Sequence, residues 1–223
     1  MFTGLIETTG VLQEIRHAGK SMLLGIAPKT APFDVAIGES VSIDGACLTL
    51  ESCSGNRFYF MAVPETVGRT TLASARVGDI VNLERALSAS GRFDGHMVLG
   101  HIDGVGTIIS DRQDDTGLIR SIALPESLLP LAAEKGSIAV DGMSLTIARI
   151  HGDVIEISFI PHTLKTTTMG RKTAGDRVNI ECDVLARYIA RMISFPSQRT
   201  ENGAHATPRS SRALLDALER SGF

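Results

Sequence analysis

The sequence of 223 residues contains only three cysteines, and no two of them are spaced as Cys-x-x-Cys. An odd, sparse set of cysteines is typical of a reducing compartment and argues against a disulfide framework or a zinc site. No apolar run approaches the roughly 18 residues that a membrane helix needs. The first residues have no basic region and no long apolar stretch, so we expect no signal peptide and a cytoplasmic protein.

The sequence also lacks the motifs of common nucleotide and hydrolase sites. Gly-x-Gly-x-x-Gly, a phosphate-binding P-loop and a nucleophile elbow are absent, and no His, Cys and carboxylate cluster has metal-ligand spacing. The formal net charge of −3 gives no reason to expect nucleic acid. We therefore expect no cofactor, no metal, and no nucleic-acid or membrane partner.

What the chain does have is an internal repeat. The motif Asp-Gly-x-[Cys/Ser]-Leu-Thr starts at 44 and again at 141, an offset of 97 residues. The same offset relates 78–84 to 175–181, and near the start of each copy 4–7 matches 100–103. A period this long is too large for a solenoid repeat and fits a small domain. The repeat therefore predicts two similar domains.

Each copy contains short β-prone runs separated by turn residues. The runs are 35–43, 57–63 and 80–83 in the first copy and 136–140, 154–160 and 177–180 in the second. About six strands in fewer than 100 residues, with strong turns between them, predict a small closed barrel. Closure also removes the exposed edges through which sheets aggregate.

The chain changes character after the second copy. Residues 184–195 carry apolar side chains near helical spacing. This stripe either packs on its own barrel or meets other copies of the chain, and the sequence leaves both open. Residues 196–223 form a polar tail that is typical of a linker, with a short helix over 213–220.

The two copies differ mostly at positions where side chains could do chemistry. The differing pairs are Leu5 with His101, Cys47 with Ser144, and Glu65 with His162. Asp-Gly alone is a common turn dipeptide, but its repetition before a nucleophilic residue favours a site, because backbone just after a turn can bond a flat polar ring.

Three further residues have competing interpretations. The counterpart of His101 is Leu5, so the fold does not require a histidine there, and this favours a functional role. His96 has no such argument and is interpreted as a junction residue. Asp183 lies where the last strand leads into the helix, and a helix N-cap is its simplest interpretation.

Several motifs resemble the duplicated lumazine-binding family. They are Met1-Phe2-Thr3-Gly4, Asn82-Leu83-Glu84-Arg85-Ala86-Leu87, Gly95-His96-Met97-Val98, Gly100-His101-Ile102-Asp103-Gly104, Asp141-Gly142-Met143-Ser144-Leu145-Thr146 and Asn179-Ile180-Glu181. The resemblance covers about residues 1–195. It implies an all-β fold with two six-stranded Greek-key barrels, 1–96 and 97–183, followed by a C-terminal trimerisation α-helix, 184–195, and leaves the tail, 196–223, unmatched.

The resemblance also implies a function, the riboflavin synthase reaction, which is the last step of riboflavin biosynthesis. One molecule of 6,7-dimethyl-8-ribityllumazine transfers a four-carbon unit to a second, giving riboflavin and 5-amino-6-ribitylamino-pyrimidinedione. The family is a homotrimer whose sites lie between the N-terminal barrel of one subunit and the C-terminal barrel of a neighbour. It implies a cytoplasmic transferase without a cofactor, and association with lumazine synthase is a further expectation.

Residues carried over from the family fall into three sets. The reactive positions are Cys47, His101, Ser144, Thr146 and Asp183. The N-terminal pocket is Gly4, Leu5, Ile6, Cys47, Leu48, Thr49, Met61, Ala62, Val63, Pro64, Glu65 and Thr66. The C-terminal pocket is Gly100, His101, Ile102, Lys135, Ser144, Leu145, Thr146, Phe159, Ile160, Pro161, His162, Thr163 and Leu164. Ser144 with His101 is expected to position or deprotonate the donor. His162 replaces the family's usual Glu, so a carboxylate is missing there.

Three other functions compete with this prediction. A lumazine or flavin carrier shares the duplicated fold, but it lacks the reactive set that this chain keeps. A flavin-dependent oxidoreductase barrel carries a nicotinamide-binding domain, and no Rossmann signature follows here. A purely structural trimer would not explain why the copies diverge at pocket positions.

Overall fold

The computed structural model describes residues 1–30, 33–114 and 117–194, and it contains two closed antiparallel barrels of six strands each. The strands of the first barrel are β1 (Thr8–Ala18), β2 (Ser21–Pro28), β3 (Ser40–Ile43), β4 (Ala46–Ser54), β5 (Arg57–Ala62) and β6 (Ile80–Arg85). Around the barrel they follow the order β1-β2-β5-β4-β3-β6, which closes on itself.

The second barrel repeats this topology strand for strand. Its strands are β7 (Gly104–Asp114), β8 (Gly117–Ala123), β9 (Ser137–Val140), β10 (Met143–His151), β11 (Val154–Phe159) and β12 (Arg177–Cys182). They follow the order β7-β8-β11-β10-β9-β12, which is the first order shifted by six. The predicted fold class, two six-stranded barrels followed by a helix, is confirmed.

Strand alternation decides which residues enter the cores and which face outward. On β4, Leu48 and Leu50 are buried in the barrel, whereas Cys47 is half-buried and Thr49 exposed. Successive side chains of a strand point to opposite faces, so the second residue after each Asp-Gly turn, Cys47 or Ser144, can reach a ligand outside the barrel while its neighbours fill the core.

Short helices follow β5 and β11 at the prolines where the sequence predicted that strands end. They are α1 (Pro64–Arg69) and α2 (Pro161–Thr166), each with proline in the first turn, where its missing N–H costs nothing. The predicted run 35–43 is too long, because β3 begins only at Ser40 after a turn in which Gly38 has a φ of +92°.

The two barrels meet through a reciprocal set of hydrogen bonds. The side-chain amide of Asn82 donates to the Asp141 carbonyl at 3.0 Å, and that of Asn179 donates to the Asp44 carbonyl at 2.8 Å. Both asparagines are fully buried. Each is the first residue of a repeated Asn-x-Glu motif, so the repeat itself encodes the junction between the barrels.

Residues Met1–Arg191, which hold both barrels, form one compact unit. The last element, α3 (Val184–Ser194), agrees with the helix predicted over 184–195 as far as the described residues extend. No described helix is long and apolar enough to cross a membrane. The tail 196–223 and its predicted short helix lie outside the described residues.

Candidate functional site

The segments 4–6 and 100–102, which lie near the start of each copy and which we name the glycine segments, cross to the opposite barrel. The Ser144 N–H donates to the Gly4 carbonyl at 2.8 Å, and the Cys47 N–H donates to the Gly100 carbonyl at 3.0 Å. The sequence prediction, which placed 4–6 with Cys47 and 100–102 with Ser144, is therefore wrong in its grouping. Within one chain each glycine segment completes the other barrel's site.

A buried glutamate holds each glycine segment in place. The Glu84 carboxylate accepts bonds from the Thr3 and Gly4 N–H groups, and Glu181 accepts them from three successive N–H groups beginning at Leu99. Burial raises the pKa of both carboxyls, against the effect of these bonds. The glutamates of the repeated Asn-x-Glu motifs thus position the walls of the sites.

Glycine is required at both crossings. Gly4 and Gly100 have φ of +77° and +79°, the left-handed region that favours glycine. A Cβ on Gly4 would lie 2.6 Å from the Ser144 Cβ, and one on Gly100 would lie 2.4 Å from the Cys47 Cβ. The backbone therefore approaches the reactive positions more closely than any side chain would allow.

The first site, which we name the Cys47 cavity, has a volume of about 480 Å³. It is lined by Ala46, Cys47, Glu65, Thr66, Arg69, Thr70, Gly100, His101, Ile102, Asp103 and Arg187. The exposed Glu65 and Arg69 side chains form an ion pair within it. Of the predicted reactive residues, the structure brings Cys47 and His101 together here.

The second site, which we name the Ser144 cavity, has a volume of about 250 Å³. It is lined by Gly4, Leu5, Ile6, Met143, Ser144, Leu145, His162, Thr163, Thr166 and Thr167. His162 and Thr166 stand where the first site has Glu65 and Arg69, so this cavity lacks the ion pair. The two cavities are alike in backbone and different in charge.

Ser144 is hydrogen-bonded to a histidine that the sequence did not single out. The Nδ1 of His96 lies 2.6 Å from the Ser144 Oγ, and the imidazole is buried, with no partner for its Nε2 in the part of the chain that the structure describes. Burial lowers the pKa of His96, although the charge of Asp183 acts in the opposite direction. His96 is therefore neutral near pH 7 and able to accept a proton from the serine.

Asp183 has a structural role in addition to its charge. Its Oδ1 accepts a bond from the Leu185 N–H at 2.9 Å, so it caps α3 as its simplest interpretation predicted. Lys135 donates from Nζ to the Ala148 carbonyl at 3.3 Å, and Thr146 is exposed on β10. These three line neither cavity in the described ranges, and their catalytic or binding roles stay predictions.

The remaining predicted binding residues also lie outside the two linings as described. They are Leu48, Thr49, Met61, Ala62, Val63, Pro64, Phe159, Ile160, Pro161 and Leu164. The side chains of Leu48, Ala62 and Phe159 are at most 4% exposed and fill the cores, so only their backbone can face a ligand. No group of three or more His, Cys, Asp or Glu residues in the described chain is placed to hold a metal ion.

Comparison with known proteins agrees with this duplicated arrangement. The model of the lumazine-binding domain matches residues 3–86 and again residues 99–183. The chain belongs to the lumazine-binding family. Each of the two lumazine-binding matches contains one Asp-Gly turn and one Asn-x-Glu motif, which are the features that build the cavities.

Relatives in the lumazine-binding family include enzymes and solved structures. Riboflavin synthase of Bacillus subtilis (strain 168) is 42% identical over 193 residues, 86% of this chain and 90% of the relative. Riboflavin synthase of Actinobacillus pleuropneumoniae is 37% identical over the full length of both chains. Crystal structures of LumP with 6,7-dimethyl-8-(1'-D-ribityl) lumazine and with riboflavin match at 27% and 28% identity, with TM-scores of 0.74 and 0.76, covering 82% of this chain and 99% of LumP.

Proposed function

We propose that this chain catalyses the riboflavin synthase reaction, a transferase reaction between two molecules of 6,7-dimethyl-8-ribityllumazine. One molecule gives up a four-carbon unit and the other accepts it. The observation that carries this function is the pair of cavities, alike in backbone and different in side chains, within a chain that is 37% identical to a riboflavin synthase over its full length. Two like substrates that react differently require two like sites of this kind.

The reaction needs little from the protein beyond alignment and proton transfer. The C7 methyl group of the lumazine is acidic because its carbanion delocalises into the ring. Holding two reactants in register can remove roughly 7–11 kcal/mol of a barrier in the best cases. We propose that the Ser144 and His96 pair serves as the base of its cavity, and that Cys47 and His101 contact the second substrate.

The polar rims of the cavities are suited to the ribityl chains. In the Cys47 cavity, Glu65 and Thr66 offer a carboxylate and a hydroxyl; in the Ser144 cavity, His162 and Thr163 offer an imidazole and a hydroxyl. Both rims can hydrogen-bond a polyol, and of the two only the rim of the Cys47 cavity contains an ion pair. The missing carboxylate at 162 therefore changes the polyol contact without removing it.

A simple incubation tests this function. Purified protein mixed with 6,7-dimethyl-8-ribityllumazine, with no added cofactor, is expected to form one riboflavin for every two lumazine molecules consumed. Riboflavin absorbance and fluorescence measure the product. Tight binding of lumazine without riboflavin formation would instead indicate a carrier, the second candidate, which the likeness to LumP bound to lumazine and to riboflavin favours.

We also propose a homotrimer assembled through α3. Leu185, Tyr188 and Ile189 are 64%, 66% and 57% exposed and share one stripe of the helix. A helix that caps its own barrel would bury such a stripe, so these exposed side chains support assembly. A trimer would place the Cys47 cavity of one subunit opposite the Ser144 cavity of its neighbour, as the family resemblance implies.

Ile189→Asp is expected to dissociate the trimer, because a desolvated and unpaired charge is strongly unfavourable in an apolar interface. Light scattering after gel filtration should show monomers. Riboflavin formation should fall at least about tenfold, because losing only about 1.4 kcal/mol from the free energy of association weakens assembly tenfold. Ile37→Asp, at an exposed residue of the first barrel (66%), is the control. A fully active monomer would contradict a site shared between subunits.

Cytoplasmic location and association with lumazine synthase complete the proposed setting. The three cysteines, all unpaired among the described residues, support a reducing compartment. An enzyme that consumes lumazine gains from a neighbour that makes it. Co-elution of the two purified enzymes on gel filtration tests the association.

A further inference from the structure

The two Asp-Gly turns face each other across the barrel junction. A Cβ on Gly45 would lie 2.8 Å from the Gly142 nitrogen, and one on Gly142 would lie 2.9 Å from the Gly45 nitrogen. The aspartates before these glycines, Asp44 and Asp141, are 6% and 0% exposed. Two acidic groups are therefore buried where the barrels touch backbone to backbone.

One oxygen of each aspartate is satisfied in the same way. The Oδ1 of Asp44 accepts the Asn82 N–H and the Oδ1 of Asp141 accepts the Asn179 N–H, both at 2.7 Å. The second oxygens differ. The Oδ2 of Asp141 lies 2.9 Å from the Nζ of Lys172, whereas that of Asp44 has no hydrogen bond or ion pair among the described residues.

Among the described residues, Lys172 is the one cation that pairs with this cluster, and the repeat shows why. At the offset of 97, the counterpart of Lys172 is Ala75, so the first copy has no lysine at the matching position. Burial lowers the pKa of Lys172, but the charges of Asp141 and Asp44 raise it further, with a net upward shift. The lysine is therefore charged, and the cluster holds one positive charge against two ionisable acids.

A cavity of about 440 Å³ opens beside this cluster. It is lined by Asp44 and Lys172 together with Asp79, Asp176 and Arg177. Burial first, and then the charge of Asp141, raise the pKa of Asp44 to about 8, with a smaller contribution from Asp79. The pKa of Asp141 is raised as well, mainly by burial, against the effect of Lys172.

We infer that the barrel junction is a proton-dependent latch, in which Asp44 keeps a proton near neutral pH while Asp141 is ionised and paired with Lys172. The protonated pair lets the two turns touch without repulsion. Loss of the proton leaves two negative charges against one positive charge at that contact. The turns lead directly to Cys47 and Ser144, so the latch joins the walls of both cavities.

The direction of the pH effect follows from the raised pKa of Asp44. The folded state holds this proton more tightly than the unfolded state, in which the pKa of Asp is about 3.9. This contribution to stability is therefore present at low pH, declines as pH rises from about 4, and levels off above the folded pKa of about 8. Asp44→Asn should lack this decline. Its urea midpoint should therefore rise relative to that of wild type as the pH is raised from about 5 to about 8.

Infrared spectroscopy of protein labelled with carbon-13 in its aspartate carboxyls detects the proton directly. At about pH 6.5 exposed aspartates are ionised, so a labelled carboxylic-acid C=O band reports a protonated buried aspartate. We expect this band in wild type and in the exposed control Asp153→Asn, and expect its loss in Asp44→Asn. A wild-type band that is absent, or that persists through about pH 9, would overturn the latch.

A second variant covers the case in which Asp44→Asn fails to fold. Lys172→Met removes the cation, so Asp141 should also keep a proton and the labelled band should about double at pH 6.5. Lys20→Met, at an exposed turn residue, should leave the band unchanged. A Lys172→Met band equal to that of wild type would contradict the sharing of one cation between two acids.

Discussion

His96→Gln is expected to lower kcat for riboflavin formation by about 10²–10⁴-fold, the usual contribution of a positioned acid or base. The reason is the 2.6 Å contact between the His96 Nδ1 and the Ser144 Oγ, which glutamine can imitate in shape but not in basicity. Lumazine binding should change little, because the imidazole contacts the serine from within the protein. Single-turnover rates and a fluorescence titration measure the two quantities separately.

Companion variants show whether His96 acts through Ser144. Ser144→Ala should lose about as much turnover as His96→Gln, and the double variant should lose little more, because residues that act as a unit are not additive. His151→Gln, at the exposed end of β10, is the control. Equal loss of turnover and of binding would leave both residues as binding groups.

The pH profile of kcat is an independent test of His96 as the base. Burial lowers the pKa of His96, so the neutral base persists to lower pH than an ordinary histidine, whose pKa is about 6.5. The acid limb of kcat should therefore lie below about pH 6.5 in wild type and disappear in His96→Gln. An unchanged acid limb in the variant would assign it to another group.

Arg120→Met is expected to lower the free energy of unfolding by about 2–4 kcal/mol, because two carbonyls lose the buried donor that they share, at roughly 1–3 kcal/mol for each acceptor left without a partner. Arg120 is 2% exposed and binds both oxygens of Asp111 at 2.7 Å. Its guanidinium also donates to the carbonyls of Met169 and Lys172 at 2.8 and 2.7 Å. Methionine fills part of the volume and satisfies none of these acceptors. Urea unfolding measures the difference.

A matched control lies on a neighbouring strand. Arg112 is an exposed arginine of β7, and Arg112→Met should change stability by less than about 0.5 kcal/mol. A loss below about 1 kcal/mol in Arg120→Met would mean that water replaces the guanidinium. Because Arg120 holds the Lys172 carbonyl, its loss should also weaken the pairing of Lys172 with Asp141.

The repeat predicted the architecture because its signals are local. Turn residues and β-prone runs recur at one offset, and both barrels follow from them. The grouping of the pockets was wrong because the partner of the Gly4 carbonyl, Ser144, is chosen by how one barrel faces the other. Periodicity within a strand carries no information about that contact.

His96 and Lys172 were missed for different reasons. His96 lies just before the second copy begins and has no counterpart, so comparison of the copies could not mark it. Lys172 has a counterpart, Ala75, and a charge facing an alanine is the same kind of divergence that marked His101 against Leu5. Its position beside two buried aspartates, however, is visible only in three dimensions.

The exchange of glycine segments has a consequence for the history of the fold. Each repeat offers the same two pieces, a glycine segment whose carbonyl accepts a hydrogen bond and a turn followed by an N–H that donates one, and each piece is satisfied by the other repeat. A single-copy ancestor would therefore have been complete only as a two-fold dimer, with both pieces swapped between identical chains. Fusion made that dimer permanent, and it freed the two halves to evolve apart at Cys47 and Ser144.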